Sequence, residues 1–349
     1  MAQPITGAYL RAAAAKAALL ICLVELTLRL LPASDGPYTT FDPRFALLKY
    51  DSRKQTDGYQ TAGNLAQRRT RWHVNRQGWN SPYDYPPEAR KPVLALVGNS
   101  YVEGMTQDLG QGLEGLLQRR LGDRYNCYSF GFSSARLSQD LNIARYVHQV
   151  FHPRILVLAL FDTDVLSSVA APGAPAQHTL AFRYAPGQVQ EAPIRPFVPR
   201  WGIRVFEKLA LVRYFAVNKQ QPFAGDPVPA PDRPMQAEEQ QAYTDILDYT
   251  FRRLRDEHPG TTVMLVLDAP RREIYAGTIQ PRTLQARALI RAVAGRYGLQ
   301  VVDLYGPMAA RYRANGVKFN SDTDYHWNSC GFRVVADAVA EAVDRLQEP

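Results

Sequence analysis

LALVGNSYVEG (residues 94–104) sets an apolar run directly before a serine that lies between Gly98 and Gly104. A short continuous apolar run that ends in turn residues is typical of a strand buried on both faces, as in a parallel sheet. Two interpretations of Ser100 follow. It is either a capping residue in an ordinary strand-to-helix turn, or a nucleophile presented at the carboxyl end of a parallel strand.

Short apolar runs alternate with helical spacing to the end of the chain. The runs predict strands at residues 93–97, 126–130, 155–160, 263–267 and 300–304. Strands that alternate with helices predict βαβ units. We therefore expect an α/β protein, a three-layer α/β/α fold with a five-stranded parallel sheet in the order 2-1-3-4-5. Ser100 would then lie at the switch point of strand order, where such sheets bind ligands.

Composition narrows the class of partner. The net charge of +8 permits anionic lipids or polysaccharides as partners. The basic residues are scattered, with no zinc-finger spacing and no RNA-binding signature, so we expect no nucleic-acid partner.

The three cysteines, Cys22, Cys127 and Cys330, are far apart and form no C-x-x-C pair, which argues against a disulfide framework or a metal site. No cofactor is expected.

The N-terminal segment YLRAAAAKAALLICLVELTLRLL (residues 9–31) is rich in Ala and Leu. We interpret residues 1–32 as a signal-anchor or transmembrane helix; a cleaved signal peptide and a soluble or interfacial helix are the alternatives. Glu25 and Arg29 interrupt the apolar run but are four residues apart, so they can pair on one helical face. The early positive charges favour a single-pass protein of the inner (cytoplasmic) membrane with its body on the periplasmic side.

The rest of the chain divides into a lead-in and a main domain. Residues 33–92 show weak periodicity and are expected to be irregular or to form short strands. Residues 93–349 form the main domain, with an insertion at about 170–235. That insertion holds eleven prolines, which disfavour long regular structure. It is either a surface elaboration or a wall of the substrate cleft.

A serine needs a base before it can act as a nucleophile, and His326 is the candidate. His326 lies in SDTDYHWNSCGF (residues 321–332), between the last strand and the last helix. Asp324 precedes it by two residues, so one loop offers both a base and a carboxylate to orient it. The structural alternative is that Asp322, Asp324 and Ser329 cap the last helix.

Three motifs taken together resemble the SGNH, or GDSL-like, hydrolase family over about residues 70–349. GNSYVEG (98–104) corresponds to the family's first block, G-D-S-x-x-x-G, and YSFGFSSA (128–135) supplies Gly131 for the second. DYHWN (324–328) corresponds to the last block. The resemblance implies Ser100 as nucleophile, His326 as general base and Asp324 as its orienting partner. It also implies an oxyanion hole formed by the amides of Ser100 and Gly131.

Two positions depart from the family pattern. Asn99 stands where the family has Asp, which the mechanism tolerates because that residue relays no proton. Thr163, in LALFDTDV (158–165), replaces the Asn whose side chain is the third oxyanion donor. Alternation along a strand would point Asp162 and Asp164 away from the oxyanion and Thr163 towards it.

The resemblance implies a membrane-anchored serine esterase or O-acyltransferase. The D-x-H-W form, HVNRQGWNSPYDY (73–85) and VELTLRLL (24–31) are similar to membrane-associated proteins of bacterial polysaccharide O-acetylation. Acetyl or short acyl esters of an extracytoplasmic glycan are then the expected substrates, and a membrane acyltransferase is a candidate partner. The alternative is a non-catalytic glycan-binding or assembly protein on a degenerate scaffold. A flavodoxin-like nucleotide binder is disfavoured because G-x-G-x-x-G and GK[ST] elements are missing.

Overall fold

Helix α1 (Gly7–Leu30) begins the described part of the chain, and two antiparallel hairpins follow it. The computed structural model describes residues 7–31, 33–63, 66–198, 202, 208–215, 233–321 and 325–346. The first hairpin pairs β1 (Thr39–Asp42) with β2 (Leu47–Tyr50) and the second pairs β3 (Asp57–Ala62) with β4 (Arg68–His73). The lead-in, expected to be irregular or to form short strands, therefore contains two hairpins.

Strands and helices then alternate as the sequence predicts. In chain order they are β5 (Val93–Gly98), α2 (Ser100–Glu103), α3 (Leu113–Leu121), β6 (Asn126–Gly131), α4 (Leu137–Phe151), β7 (Ile155–Leu160), α5 (Asp162–Ser167), β8 (Phe182–Ala185), β9 (Gln188–Glu191), α6 (Ala210–Arg213), α7 (Ala237–Asp256), β10 (Thr262–Leu267), α8 (Arg271–Ala276), α9 (Pro281–Arg296), β11 (Gln300–Asp303), α10 (Tyr305–Asn315) and α11 (Ser329–Arg345).

Five of these strands form one parallel sheet in the order β11-β10-β7-β5-β6. Counted along the domain this is the expected order 2-1-3-4-5, so the predicted α/β fold and its sheet are confirmed. β5 lies between β6 and β7, and Gly98 pairs with Gly131 at the carboxyl end. The loops after these three strands therefore meet around Ser100.

Both faces of the sheet are covered, which is why the strands are apolar throughout. Ala95 and Val97 of β5 pack in the core that contains α4, α7 and α9. Leu94 and Leu96 point to the opposite core, formed with α3 and α11. Side chains of a strand alternate between the two faces of its sheet, so a strand inside a three-layer fold needs apolar residues at successive positions.

Helix α1 packs on the short helix α6. The Glu25 carboxylate accepts hydrogen bonds of 2.9 Å from the amides of Ala210 and Leu211. It also pairs with Arg29 at 2.8 Å, as the sequence spacing predicts. The expected membrane span in residues 1–32 is not supported: no helix in the described ranges is both long enough and apolar enough to cross a membrane.

The Pro-rich insertion contains the hairpin β8–β9 and the helix α6 among its described residues. Residues 199–201, 203–207 and 216–232 lie outside the described part. Its role as a wall of the cleft stays a prediction.

Candidate active site

Ser100 opens helix α2 directly after β5, but it does not cap that helix. Asn99 is the N-cap, and its Oδ1 accepts a hydrogen bond of 3.1 Å from the amide of Tyr101. Gly104 ends the helix with φ +72°, a left-handed conformation that favours glycine. The strand therefore turns back within a few residues and leaves the Ser100 hydroxyl free of a capping role.

The hydroxyl of Ser100 faces His326. Nε2 of His326 lies 2.8 Å from Oγ of Ser100, a distance that suits proton transfer between a nucleophile and a general base. These two residues are 226 positions apart in sequence, and the sheet brings them together. At this distance the imidazole can take the hydroxyl proton while the serine oxygen attacks an acyl carbon.

The loop that carries His326 is tied down on both sides. The carbonyl oxygen of His326 accepts a hydrogen bond of 2.8 Å from the amide of Ser321. Oδ1 of Asn328 caps helix α11, accepting from the amides of Cys330 and Gly331 at 3.0 Å. The cap of the last helix is therefore Asn328, whereas Ser329 is already the first helical residue.

Asp324, the predicted orienting carboxylate, lies outside the described residues, as does Asp322. Its place in a Ser100–His326–Asp324 triad stays a prediction. The distance between Ser100 and His326 does not depend on where Asp324 lies.

Gly131 ends β6 beside the turn that carries Ser100. A Cβ atom at this position would lie 2.0 Å from the amide nitrogen of Glu103, so only glycine fits. The amide of Phe132 donates a hydrogen bond of 3.0 Å to the carbonyl of Gly98. The loop that would supply the second oxyanion donor is thus packed directly on the nucleophile's turn.

Thr163 and its two acidic neighbours differ from the expectation. β7 ends at Leu160, and residues 162–167 form helix α5, so strand alternation does not orient these side chains. Thr163 is exposed, and its amide donates to Oδ1 of Asp162 at 2.8 Å. Its hydroxyl as a third oxyanion donor stays a prediction.

Asp164 points towards the turn that carries the nucleophile. Its Oδ2 accepts a hydrogen bond of 3.0 Å from Nδ2 of Asn99. The pKa of Asp164 is raised to about 7, chiefly by burial; the Asn99 hydrogen bond opposes this rise and the charge of Asp162 adds to it. Because the strand ends at Leu160, the argument from alternation does not apply here, and the direction of Asp164 relative to the oxyanion stays a prediction.

Glu103 is a site residue that sequence reasoning missed. It is buried, and it accepts hydrogen bonds from the hydroxyls of Tyr50 and Ser133 and, at 3.1 Å, from the amide of Ser133. Burial raises its pKa, and these hydrogen bonds oppose that shift. Glu103 joins α2, the loop after Gly131 and the first hairpin. The one indication in the sequence is that Glu103 follows Ser100 by three residues, which places both on the same turn.

The described residues contain no group of three or more His, Cys, Asp or Glu side chains placed to hold a metal ion. The chemistry assembled here is that of a serine, an imidazole and nearby amides.

Residues 96–334 match the model of the GDSL-like Lipase/Acylhydrolase family, over more than half of the chain. The chain belongs to this family. Membership agrees with the parallel sheet and with Ser100 after its first strand. It also makes an ester hydrolase the expected class of enzyme.

Solved structures of several hydrolases are similar at low identity. They include an acetyl xylan esterase, AlAXEase, with 14% identity, a TM-score of 0.42, and coverage of 72% of this chain and 98% of that chain. The lipase/acylhydrolase from Enterococcus faecalis has 11% identity, a TM-score of 0.42, and coverage of 74% and 98%. LAE5, an alpha/beta hydrolase enzyme from the metagenome of Lake Arreo, Spain, has 18% identity and a TM-score of 0.42. The match covers 75% of this chain and 99% of that chain. No curated protein matches the chain.

Proposed function

We propose that the protein is a serine esterase or O-acyltransferase that works through Ser100, His326 and Asp324. The observation that carries this proposal is the 2.8 Å separation of Ser100 Oγ and His326 Nε2. Oγ attacks the ester carbonyl while Nε2 takes the hydroxyl proton. The C–O bond to the alcohol then breaks, and the imidazolium returns that proton to the leaving oxygen. Ser100 is left as an acyl ester.

The second half of the reaction frees the serine. Water or a sugar hydroxyl attacks the acyl carbon while His326 takes its proton. The bond between the acyl carbon and Ser100 Oγ then breaks, the imidazolium returns the proton to Oγ, and the acyl group leaves as an acid or as a new ester. Asp324 orients the imidazole and stabilises its charged form. The amides of Ser100 and Gly131, with Thr163 as a weaker third donor, stabilise the negative oxygen of both tetrahedral intermediates.

For the substrate we propose acetyl or short acyl esters of an extracytoplasmic glycan. The D-x-H-W loop and the N-terminal features support this class by their likeness to O-acetylation proteins. The net charge of +8 suits an anionic polysaccharide. A membrane acyltransferase would then supply acyl groups to the same glycan.

We further propose attachment to the inner membrane with the hydrolase domain on the periplasmic side. Large apolar side chains of α1 are exposed, among them Leu19, Leu20, Ile21 and Leu23. Fractionation of cells that express the full chain tests this placement. Recovery of the protein in the membrane pellet supports it, and recovery in the soluble fraction contradicts it.

A non-catalytic glycan-binding protein is the second candidate, favoured by Thr163 in place of the family's Asn. Losing one oxyanion donor typically costs roughly 100- to 1000-fold in turnover. Against it, Ser100 and His326 lie at the distance that a nucleophile and its general base require.

A serine-directed fluorophosphonate and 4-nitrophenyl acetate separate the two candidates. We expect wild-type labelling at Ser100 and turnover that Ser100→Ala and His326→Ala each abolish. Circular dichroism of both variants controls for folding. An unlabelled, inactive wild-type protein that still binds acetylated glycan would establish the binding function instead.

A further inference from the structure

A buried ion pair holds the residues on both sides of His326. Arg271, at the start of α8, is 4% exposed and contacts both carboxylate oxygens of Asp268 at 2.8 and 2.9 Å. Nη2 of Arg271 donates to the carbonyl oxygen of Tyr325 at 2.8 Å. Nε1 of Trp327 donates to Oδ1 of Asp268 at 3.0 Å. The residue before His326 and the residue after it are therefore anchored to the same pair.

Tyr101 joins this network from the nucleophile's side. Its hydroxyl donates to the carbonyl oxygen of Tyr325 at 2.8 Å and accepts from Nη2 of Arg271 at 3.0 Å. The Tyr101 ring also lies against the His326 ring, with centroids 4.7 Å apart. Because Tyr101 directly follows Ser100, one side chain links the turn of the nucleophile to the loop of the base.

These contacts matter because His326 lies in a loop and not in a strand or helix. Its position relative to Ser100 depends on side-chain contacts with neighbouring elements. Arg271 presents fixed, forked donors, so the orientation of its guanidinium against Asp268 fixes where the Tyr325 carbonyl sits. The pair is inside the protein, where bulk water competes little for these hydrogen bonds.

We propose that Arg271, oriented by Asp268, and Tyr101 are positioning residues that hold His326 within hydrogen-bonding distance of Ser100. They act through the Tyr325 carbonyl, the Trp327 indole and the His326 ring. The catalytic consequence rests on the proposed function, whereas the geometric one does not. A displacement of about 1 Å between reacting groups costs on the order of 100-fold in rate.

Arg271→Gln and Tyr101→Phe test the catalytic consequence. We expect kcat with 4-nitrophenyl acetate to fall by about 10- to 100-fold while KM changes little, because the ester-binding surface is left in place. Turnover is expressed per Ser100 labelled by the fluorophosphonate, which removes any loss of folded protein from the result. Arg271→Lys keeps the charge but not the fork, so it restores activity only in part.

Arg145→Gln is the matched control. Arg145 is a partly buried arginine that pairs with Glu191 and Glu257 at 2.6 Å. It joins α4 to β9 and to the residue that follows α7, and these partners are not site residues. Its loss lowers stability, yet turnover per labelled serine stays at the wild-type value. Equal per-site turnover in the wild type, Arg271→Gln and Tyr101→Phe would overturn the inference.

NMR of the 15N-histidine-labelled full chain measures the contact between His326 and Ser100 without any turnover. In the wild-type background, Ser100→Ala shifts the His326 ring-nitrogen resonances because Nε2 loses its partner. With Arg271→Gln, or with Tyr101→Phe, which removes no charge, Ser100→Ala produces a much smaller shift. An undiminished shift in both backgrounds contradicts the inference. An unlabelled, inactive wild type whose shift still depends on Arg271 would defeat the proposed function alone.

Discussion

Asn99 and Asp164 are joined by a hydrogen bond of 3.0 Å from Nδ2 to Oδ2, directly beside Ser100. The same Asn99 caps α2 through its Oδ1. The side-chain amide of Asn99 therefore uses both of its polar atoms: the oxygen accepts from the Tyr101 amide, and the nitrogen donates to the carboxyl group of Asp164. A carboxylate at position 99 could supply the cap but not the donor. Asn99 can therefore satisfy both the helix cap and Asp164.

Asp164→Asn should flatten the pH dependence of stability. The pKa of Asp164 is raised to about 7, chiefly by burial. Between about pH 4 and pH 7 the native state then keeps a proton that the unfolded chain has lost, so the unfolding free energy falls as pH rises through this window. The amide removes that titration, and Asn99 keeps an oxygen acceptor. Urea unfolding of wild type and variant at pH 4, 5.5, 7 and 8 measures the effect.

Part of the pH dependence survives in Asp164→Asn. Asp140 is also buried, and burial together with Asp164 raises its pKa. The variant lacks one of these two causes, so the remaining slope should be smaller than in the wild type and of the same sign. An unchanged slope would show that Asp164 is ionised in the native state throughout this range.

Asn99→Asp should be tolerated at low pH and harmful at high pH. Two carboxyl groups at hydrogen-bonding distance can share one proton at pH 5. At pH 8 the unfolded chain has lost that proton, so the native pair must either retain it or carry two charges that repel each other. We expect the loss of unfolding free energy to be larger at pH 8 than at pH 5 by about 1–3 kcal/mol, the cost of a buried charged group without its partner. Denaturant titrations at both pH values measure it.

Asn99→Ser is the control for that substitution. Serine keeps an N-cap oxygen and adds no charge, but it loses the donor to Asp164. Its stability loss should be somewhat larger at pH 8 than at pH 5, because the lost donor favours the ionised form of Asp164, but the difference should be smaller than in Asn99→Asp. A pH-dependent loss in Asn99→Ser as large as that in Asn99→Asp would remove repulsion as the explanation.

Glu103→Ala should destabilise the protein much more than Glu103→Gln. Alanine leaves the Tyr50 hydroxyl and the Ser133 amide without their shared acceptor, and each unsatisfied buried donor costs about 1–3 kcal/mol. Glutamine retains one acceptor oxygen in the same place. Urea midpoints and slopes at pH 7 separate the two variants. Equal losses would contradict this explanation, because glutamine keeps both the volume and an acceptor oxygen that alanine lacks.

The sheet and the Ser100–His326 pair could be predicted because their signals are strong and local. Five apolar runs separated by helical spacing leave few alternatives to a doubly wound sheet. The carboxyl ends of such strands meet at one edge, which places Ser100 and the 324–328 loop near each other before any contact is known.

Asp164 and Arg271 could not be placed in the same way. The orientation of Asp164 depends on where β7 ends, and strand ends are the least certain part of any assignment from sequence. Arg271 looks like a surface arginine at a helix start, since nothing in RREIYA (271–276) indicates burial. Asp268 is only three residues away, but Tyr101 and Tyr325 come from distant segments, so only the folded chain assembles the whole network.

Gly131→Ala should lower both stability and turnover. A Cβ atom there would lie 2.0 Å from the amide nitrogen of Glu103, so the backbone of α2 or of the oxyanion loop must shift. Overpacking of this kind costs about 1–3 kcal/mol. The shift also moves an amide proposed to stabilise the oxyanion, and kcat should fall by about 10- to 100-fold.

Gly295→Ala is the matched control for Gly131→Ala. Gly295 lies near the end of α9, where an added Cβ atom meets nothing within 4 Å. Alanine is the better helix former by about 0.5–1 kcal/mol, so this variant should be at least as stable as the wild type and fully active. Thermal unfolding and turnover of 4-nitrophenyl acetate are measured for both variants. Wild-type turnover in Gly131→Ala would show that the amide of residue 131 contributes nothing to oxyanion stabilisation, and the hole would then have to be sought among other donors around Ser100.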